Sequence, residues 1–353
     1  MSWFARYVGE VDPSRLSVLD LAPVPSGSTV GDAIRNSIDL VQRVEALGFH
    51  RYWVAEHHNM PGIASSSPAV LLAHLAMVTS AIRLGSGGVM LPNHAPLAIA
   101  EQFGMLEAVH PGRIDLGLGR APGSDPTTAR ALRGARLAES EDFLARLGEL
   151  LAFFDGTFPA DHPYARVTAV PGHGHRPEIW MLGSSDYGAQ VAGQMGIPFS
   201  FAHHFGMGGT DLALDLYRQN FRPSEGLDAP YAMIGVGVVC AESEEHARFL
   251  AGASALSFLR LRQGRPSRMP TPEEAAAEQY TPAERELMQH RMRNTVIGTP
   301  SQVAEQLSRL QLATGVDELM VTTATHAHAD RVRSFELVAE ACGLVARSVA
   351  APV

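Results

Sequence analysis

The chain has 353 residues, 46% of them hydrophobic, which is long enough for two average domains or for one large α/β barrel. A net charge of −9 without any basic tract gives little support for binding to nucleic acid or to an anionic membrane surface. All 28 basic residues are arginine, so catalysis through a lysine Schiff base and lysine-anchored pyridoxal phosphate are both excluded.

The first half of the chain alternates between short apolar segments typical of strands and longer segments with helical periodicity. Strands are predicted at residues 16–21, 51–56, 82–91 and 114–119, and helices at residues 30–47, 67–80, 96–109 and 138–154. Gly48 follows the first helix, where a C′ glycine is expected, and Pro68 begins the second at a position that tolerates proline. A polar loop is predicted between the fourth strand and the helix after it.

The second half continues the same alternation. Strands are predicted at residues 178–182, 199–205, 232–239 and 318–323, and helices begin at Asp186, at Asp211 and at about Ala329. Strands that alternate with helices of this length form parallel βαβ units, and eight such units favour a closed barrel over an open sheet. We therefore predict an α/β fold, a (β/α)8 TIM barrel, as a single domain over residues 1–353.

A polar segment rich in arginine and proline, at about residues 259–295, interrupts this alternation between the seventh and eighth strands. It contains two helix starts of the same design, each with a threonine N-cap, a proline at N1 and a glutamate at N3. They begin at Thr271 and Thr281. Long insertions in compact domains tend to be lids or disordered segments, and of the two we expect a lid over the barrel mouth.

The fourth strand ends in the sequence LGLGRAP, residues 116–122, with Arg120 at its carboxyl end and a break at Pro122 and Gly123. A strand that ends in arginine and opens into a Gly/Pro loop suits an anionic ligand. A buried glycine-rich strand with a surface arginine fits the same residues. The glycines at 117, 119 and 123 are spaced one residue too widely for the dinucleotide-binding fingerprint.

Five blocks of the chain, in order, resemble the bacterial luciferase-like flavin monooxygenases, and the similarity is greatest to the alkanal-monooxygenase-like branch. The blocks are residues 53–62 (WVAEHHNMPG), 84–102, 110–125, 182–205 and 297–323. The resemblance implies a homodimeric barrel enzyme that uses reduced FMN and O2, through a C4a-peroxyflavin, to oxidise a small organic substrate such as an aldehyde. It also implies that a separate NAD(P)H:flavin reductase supplies the reduced FMN.

The resemblance assigns roles to four residues of the first half. His57, the first histidine of EHH, would act as acid or base beside the flavin, and a histidine can both take and return a proton near neutral pH. Gly87 and Gly88 would form a non-prolyl cis peptide under the flavin ring, and Arg120 would contact the flavin phosphate. A hydrogen-bonded structural histidine and glycines that relieve crowding are the alternatives.

The same resemblance places the flavin phosphate at the end of the fifth strand, at Gly183, Ser184, Ser185 and Tyr187. Amides and the dipole at the start of a helix favour a phosphate, and serine hydroxyls add donors. Ordinary N-capping by Ser185 is compatible with this role. Gly183 stands where luciferase has an acidic residue, so the details of the flavin contact differ here.

Several histidines occur close together in sequence. His203 and His204 end the sixth predicted strand and are expected to shape the substrate side of the pocket. Together with His173, His175, His326 and His328 they could suggest a barrel metallohydrolase. Such sites need several ligands that converge at strand ends together with a carboxylate, so no metal site is predicted.

Two functions besides the FMN monooxygenase stay open. Relatives on this fold use the deazaflavin F420 for hydride transfer without oxygen, and some luciferase-like homologues bind flavin without catalysis. The two cysteines, Cys240 and Cys342, cannot form a disulfide framework, and no apolar run is long enough to span a bilayer. We therefore expect a soluble protein of the cytoplasm.

Overall fold

The computed structural model describes residues 15–121, 123–134, 143–206 and 208–347. Its strands are β1 (Leu16–Asp20), β2 (Arg51–Val54), β3 (Arg83–Met90), β4 (Ile114–Gly119), β5 (Glu178–Gly183), β6 (Phe199–Phe201), β7 (Ala232–Cys240), β8 (Thr295–Gly298) and β9 (Glu318–Thr322). All pair in parallel, in the order β1 to β7 and then β9, and β9 returns to β1. The sheet is therefore closed, which confirms the predicted (β/α)8 TIM barrel.

Helices surround this barrel. They are α1 (Val30–Ala46), α2 (Pro68–Ala76), α3 (Pro96–Val109), α4 (Pro126–Arg133), α5 (Phe143–Asp155), α6 (Asp186–Met195), α7 (Thr210–Asn220), α8 (Glu244–Arg262), α9 (Pro272–Ala277), α10 (Pro282–Arg293), α11 (Pro300–Thr314) and α12 (His328–Ala341). Many begin with proline at the first helical position, where the missing N–H leaves no intrahelical bond unmade. Within the described ranges, we find no helix with the length and apolar character needed to cross a bilayer.

The barrel interior is layered along its axis. At the amino end of the strands, the guanidinium of Arg51 is buried and pairs with Asp115 at 2.9 Å and with Glu318 at 3.2 Å. Above this ionic layer, Trp53 and Trp180 pack edge to face with ring centres 5.2 Å apart. These two layers fill the lower barrel, so a ligand must approach from the carboxyl ends of the strands.

Several elements differ from the sequence-based prediction. The predicted polar loop after β4 contains α4, whose N-cap Asp125 accepts hydrogen bonds from the amides of Thr127 and Thr128. β2 ends at Val54, and the sixth strand ends at Phe201, after which residues 203–205 form a turn of 3-10 helix. β8 is an unpredicted strand that pairs with the carboxyl half of β7 only. The predicted helical residues 138–142 and the break at Pro122 lie outside the described residues.

The insertion comprises residues 263–294, because α8 extends through the start of the predicted segment. Both predicted capping boxes, at Thr271 and Thr281, are confirmed. Before them, the amide of Met269 donates to the carbonyl of Val24 at 3.2 Å, and the carbonyl of Met269 accepts from the amide of Ser26 at 2.8 Å. The insertion is thus bonded to the loop that follows β1, at the carboxyl end of the barrel.

Candidate active site

Two glycines in the carboxyl half of β3, Gly87 and Gly88, lie where other strands approach very closely. The peptide bond between them is cis, as the resemblance implies. A Cβ atom at Gly88 would lie 2.0 Å from Cδ1 of Leu182 and 2.7 Å from the carbonyl oxygen of Gly117. A Cβ atom at Gly87 would lie 2.8 Å from Cδ1 of Leu19. The glycines therefore do relieve crowding, and their contact with a flavin ring remains a prediction.

Arg120 and Tyr187 are in contact at the barrel mouth, although they are 67 residues apart in the sequence. The guanidinium carbon of Arg120 lies 4.2 Å from the centre of the Tyr187 ring, which is a close cation–π contact. Arg120 is exposed, and we find no carboxylate paired with it among the described residues. The stacked geometry holds the guanidinium in place while its N–H groups stay available to an anion.

The start of α6 lies beside this pair, because Tyr187 belongs to its first turn. Gly183 ends β5, and Ser184 and Ser185 are exposed and lead directly into the helix. Ser185 occupies the N-cap position in an extended conformation, yet its side chain makes no capping hydrogen bond. The structure therefore does not show ordinary capping by Ser185, the alternative that the sequence left open. An uncapped helix start of this kind favours an anion through its free amides and its dipole.

His57 follows β2 at the carboxyl end of the barrel. Its amide donates to the carbonyl of Ser65 at 2.9 Å, which fixes the backbone. Its Nδ1 atom is buried and has no hydrogen-bond partner among the described residues. Burial lowers the pKa of His57 below its ordinary 6.5, against the opposing charge of Glu56, so the ring is neutral at pH 7. A neutral imidazole with a free nitrogen can accept a proton.

Glu56 is fully buried and joins the ends of β2 and β3. Its Oε1 atom lies 2.9 Å from Nε2 of both His58 and His94, and its Oε2 atom accepts from the amide of Met90 at 3.0 Å. Burial raises the pKa of Glu56, but the bonds from His94, His58 and Met90 outweigh it and hold the pKa below the ordinary value. Residues 56–58 do not alternate between the two faces of a strand, because β2 ends at Val54.

His203 and His204 lie in the 3-10 turn after β6 and have different surroundings. His203 is bonded through Nδ1 to Oγ1 of Thr210 at 2.8 Å, at the start of α7. The His204 ring packs against Gly235 of β7, where an added Cβ atom would lie 2.5 Å from its Nδ1. Burial, together with the nearby charge of Arg291, lowers the pKa of His204 to about 4. His204 thus packs against β7, whereas His203 is bonded to the start of α7.

The other histidines make separate contacts. His326 lies 3.2 Å from Oγ of Ser26, His328 lies 2.8 Å from a carboxylate oxygen of Asp39, and His173 contacts a backbone carbonyl at 3.2 Å. In the part of the chain that the structure describes, no group of three or more His, Cys, Asp or Glu residues could hold a metal ion.

The prediction from sequence missed two residues of this region. His94 lies within the second resembling block, and the signal was its position just after the third strand, as for His57 after the second. Arg291 comes from α10 of the insertion, and its Nη1 atom donates to the carbonyl of His204. No short-range sequence pattern links residue 291 to residue 204, so only the folded chain reveals this contact.

Two distant structures share the fold with this chain. One is the oxygenating constituent of 3,6-diketocamphane monooxygenase of Pseudomonas putida in complex with FMN, a type II Baeyer–Villiger monooxygenase, with a TM-score of 0.69 at 17% identity, covering 96% of this chain and 100% of that one. The other is an F420-dependent secondary alcohol dehydrogenase, with a TM-score of 0.66 at 14% identity, covering 93% and 99%. At these identities they show the fold alone.

Nearer relatives cover almost the whole chain. The family described as luciferase-like monooxygenase matches residues 14–318. The chain is 48% identical over 325 residues to the Bacillus subtilis protein YvbT, covering 92% of this chain and 96% of that protein. It is 45% identical over 321 residues to a luciferase-like monooxygenase of Escherichia coli, covering 91% and 95%. The crystal structure of apo-MsnO8 matches with a TM-score of 0.86 at 36% identity, covering 95% and 100%. The chain therefore belongs to the luciferase-like monooxygenase family.

Proposed function

We propose that this monooxygenase depends on reduced FMN, which binds in the barrel mouth and is used with O2 to oxidise a small organic substrate. One observation carries the proposal: Arg120 packs on the ring of Tyr187, and Tyr187 lies in the first turn of α6, whose start is uncapped. A guanidinium beside the free amides of a helix N-terminus can bind a phosphate monoester. Reduced FMN, when bound, would supply the electrons that activate oxygen.

Each predicted cofactor-binding residue has a part in holding FMN. Arg120, Tyr187 and the segment Gly183, Ser184 and Ser185 would bind the phosphate. Gly87 and Gly88 would form the surface beneath the ring system, because side chains there would collide with Leu182 and Leu19 and alter the floor of the mouth.

His57 is the proposed acid–base residue. Its free Nδ1 atom and its neutral state at pH 7 allow it to take a proton from the reacting centre and to return it. The Glu56–His58–His94 cluster would act through position, because it fixes the backbone from which His57 projects. His204 would line the substrate side of the pocket, on the opposite wall.

Exclusion of water is the role we propose for the insertion. It is bonded to the loop after β1 through Met269 and to the turn after β6 through Arg291, and it reaches the loop after β2, where Ser267 lies against Gly62. A segment attached at these points would cover the mouth as a lid. A dry site protects reactive oxygen species from discharge by water.

The proposal includes two partners. Since the chain offers no dinucleotide-binding fingerprint, a separate NAD(P)H:flavin reductase would deliver reduced FMN in the cytoplasm. A second copy of the chain would cover α2 and α3, which expose large apolar side chains to an extent unusual for a helix face in contact with water. These side chains, with their exposed fractions, are Val70 (63%), Met77 (57%), Met105 (56%) and Val109 (63%).

The alternative cofactor is F420, which the alcohol dehydrogenase of the same fold uses. Both cofactors carry phosphate, so the phosphate site does not separate them. Binding of FMN and F420 by equilibrium dialysis, followed by turnover under labelled O2, does separate them. Incorporation of one labelled oxygen atom into product supports the monooxygenase, whereas oxygen-independent turnover with F420 would replace it with hydride transfer. Binding of FMN without turnover of any aldehyde or ketone would favour a flavin-binding protein.

The phosphate site itself is tested by comparing FMN with riboflavin, which lacks the phosphate. Arg120→Leu should weaken FMN binding about tenfold to a hundredfold, the expected loss for a charge-assisted contact, and leave riboflavin binding unchanged. Arg222→Leu, an exposed arginine after α7, is the matched control. An equal loss for both ligands, or no loss for FMN, would remove Arg120 from the phosphate site.

A further inference from the structure

Arg291 of α10 is a partly buried cation without a carboxylate. Its Nη1 atom donates to the carbonyl of His204, and its guanidinium carbon lies 5.3 Å from the centre of the Phe258 ring. Burial lowers its pKa, and no acidic group pairs with it in the described part of the chain. By contrast, Arg51 and Arg331 are buried beside carboxylates. Since a desolvated charge is normally paired, we infer that Arg291 can bind an anionic ligand.

Arg291 lies at the carboxyl end of the barrel, beside the turn after β6, and β6 is the strand next to β5 of the phosphate site. The carbonyl of His204 holds Arg291, and the ring of His204 packs against Gly235 of β7. The phosphate site is formed instead by Arg120 after β4 and by the segment after β5. The two cations are therefore held by different elements at neighbouring strand ends.

Resting on the proposed function, we propose that Arg291 binds a carboxylate of the organic substrate, so that the enzyme acts on small organic acids with an apolar body. One guanidinium nitrogen holds the His204 carbonyl, and the other N–H groups have no partner among the described residues. They form a planar fork that matches two carboxylate oxygens. The ring of Phe258 provides an apolar surface beside it, and Phe205 packs against the ring of His204.

A latch role alone does not account for an arginine here. The bond to the His204 carbonyl needs a single donor, which a neutral glutamine could supply without the desolvation of a charge. Asn294 and His290, nearby in the insertion, already contact Gly206 of the same turn, so the insertion is joined to this turn without Arg291. The positive charge is therefore the feature that requires a ligand.

The test compares octanoate with octanamide, which differ in charge but not in chain length. Binding of each to the cofactor-free protein is measured by calorimetry for the wild type, Arg291→Gln and Arg285→Gln, and the melting temperature of each variant is recorded. Arg285 lies on the same helix and donates to the carbonyl of Tyr280, so it controls for the loss of an arginine from α10. We expect the wild type and Arg285→Gln to prefer octanoate by about tenfold or more. Arg291→Gln should bind both ligands equally.

Two results would overturn the proposal. If the wild type shows no preference for octanoate while Arg291→Gln melts at a lower temperature, Arg291 is only a latch. If Arg291→Gln weakens FMN binding while the octanoate preference persists, the cation serves the cofactor. Because the ligands are compared without cofactor, failure of FMN to bind would count against the proposed function and leave this result unaffected.

Discussion

Replacing Glu56 by glutamine should destabilise the fold and slow turnover together. The carboxylate accepts from His58, His94 and the amide of Met90, so the substitution removes the charge from three hydrogen bonds and turns one acceptor into a donor. Bonds to a charged group contribute about 1.5–3 kcal/mol each, and breaking a buried ion pair costs about 3–5 kcal/mol. Because glutamine keeps the shape and one acceptor, we expect a loss of about 2–4 kcal/mol in the free energy of unfolding.

The stabilisation by Glu56 should also depend on pH in a defined direction. The pKa of Glu56 is held below its ordinary 4.5 in the folded protein, so its contribution to stability is fully present above pH 4.5. That contribution is lost as the pH falls through the lowered pKa, where the carboxyl gains a proton and resembles the amide. The difference in unfolding free energy between wild type and Glu56→Gln should be constant from about pH 6 to 8 and should shrink below the ordinary glutamate pKa.

A second buried glutamate provides the control. Glu45, in the last turn of α1, accepts from the amides of Ser80, Ala81 and Ile82 through Oε1, and its Oε2 has no partner among the described residues. Glutamine can place its NH2 group at that second position, so Glu45→Gln should cost only about 1–2 kcal/mol. Because Glu45 lies at the amino end of β3, turnover should be unchanged. Urea unfolding followed by tryptophan fluorescence, with turnover measured on the same samples, would refute the reasoning if both variants lost activity equally.

Three further predictions concern the site and the surface. His57→Gln should lower turnover by about 10²–10⁴-fold and abolish the fall in rate that we expect of the wild type at a pH below the ordinary histidine pKa, where His57 gains a proton; an unchanged pH–rate profile would exclude His57 as the base. Gly88→Ala should cost about 1–3 kcal/mol in urea unfolding, because its Cβ would collide with Leu182, and unchanged stability would show that the neighbouring strands can move apart. Met105→Arg should yield monomers in sedimentation experiments, whereas Leu312→Arg, equally exposed on α11, should not.

The barrel could be predicted from the sequence because its signals are local. Each strand is a short apolar run bounded by Gly or Pro, and each helix has its own start signal, as at Thr271 and Thr281. The differences arose where a local signal was weak or was overridden. β8 has only four residues and gains its stability by pairing with β7, which no local pattern reveals.

The site was predictable only in part, for a related reason. Arg120 and Tyr187 were each named from the sequence, but their contact depends on how β4 and β5 pair across the sheet. The missing cap at Ser185 is a property of one rotamer, and serine at an N-cap ordinarily makes that bond. Arg291 was not found at all, because a residue supplied by an insertion carries no positional signal relative to the strand ends.

The barrel interior has paired charges at its amino end and three incompletely bonded groups around its mouth, although unpartnered buried atoms such as Oε2 of Glu45 also occur on the amino side. At the amino end, Arg51 and its carboxylates satisfy one another, and the tryptophan layer above them excludes water. At the carboxyl end, His57 has a buried nitrogen without a described partner, the start of α6 lacks its cap, and Arg291 lacks a described counter-ion. Polar groups withdrawn from water without partners cost stability, so we expect the three at the mouth to be completed by what binds there. A phosphate at the ends of β4 and β5, a carboxylate beside the turn after β6 and a reacting group beside His57 would complete all three.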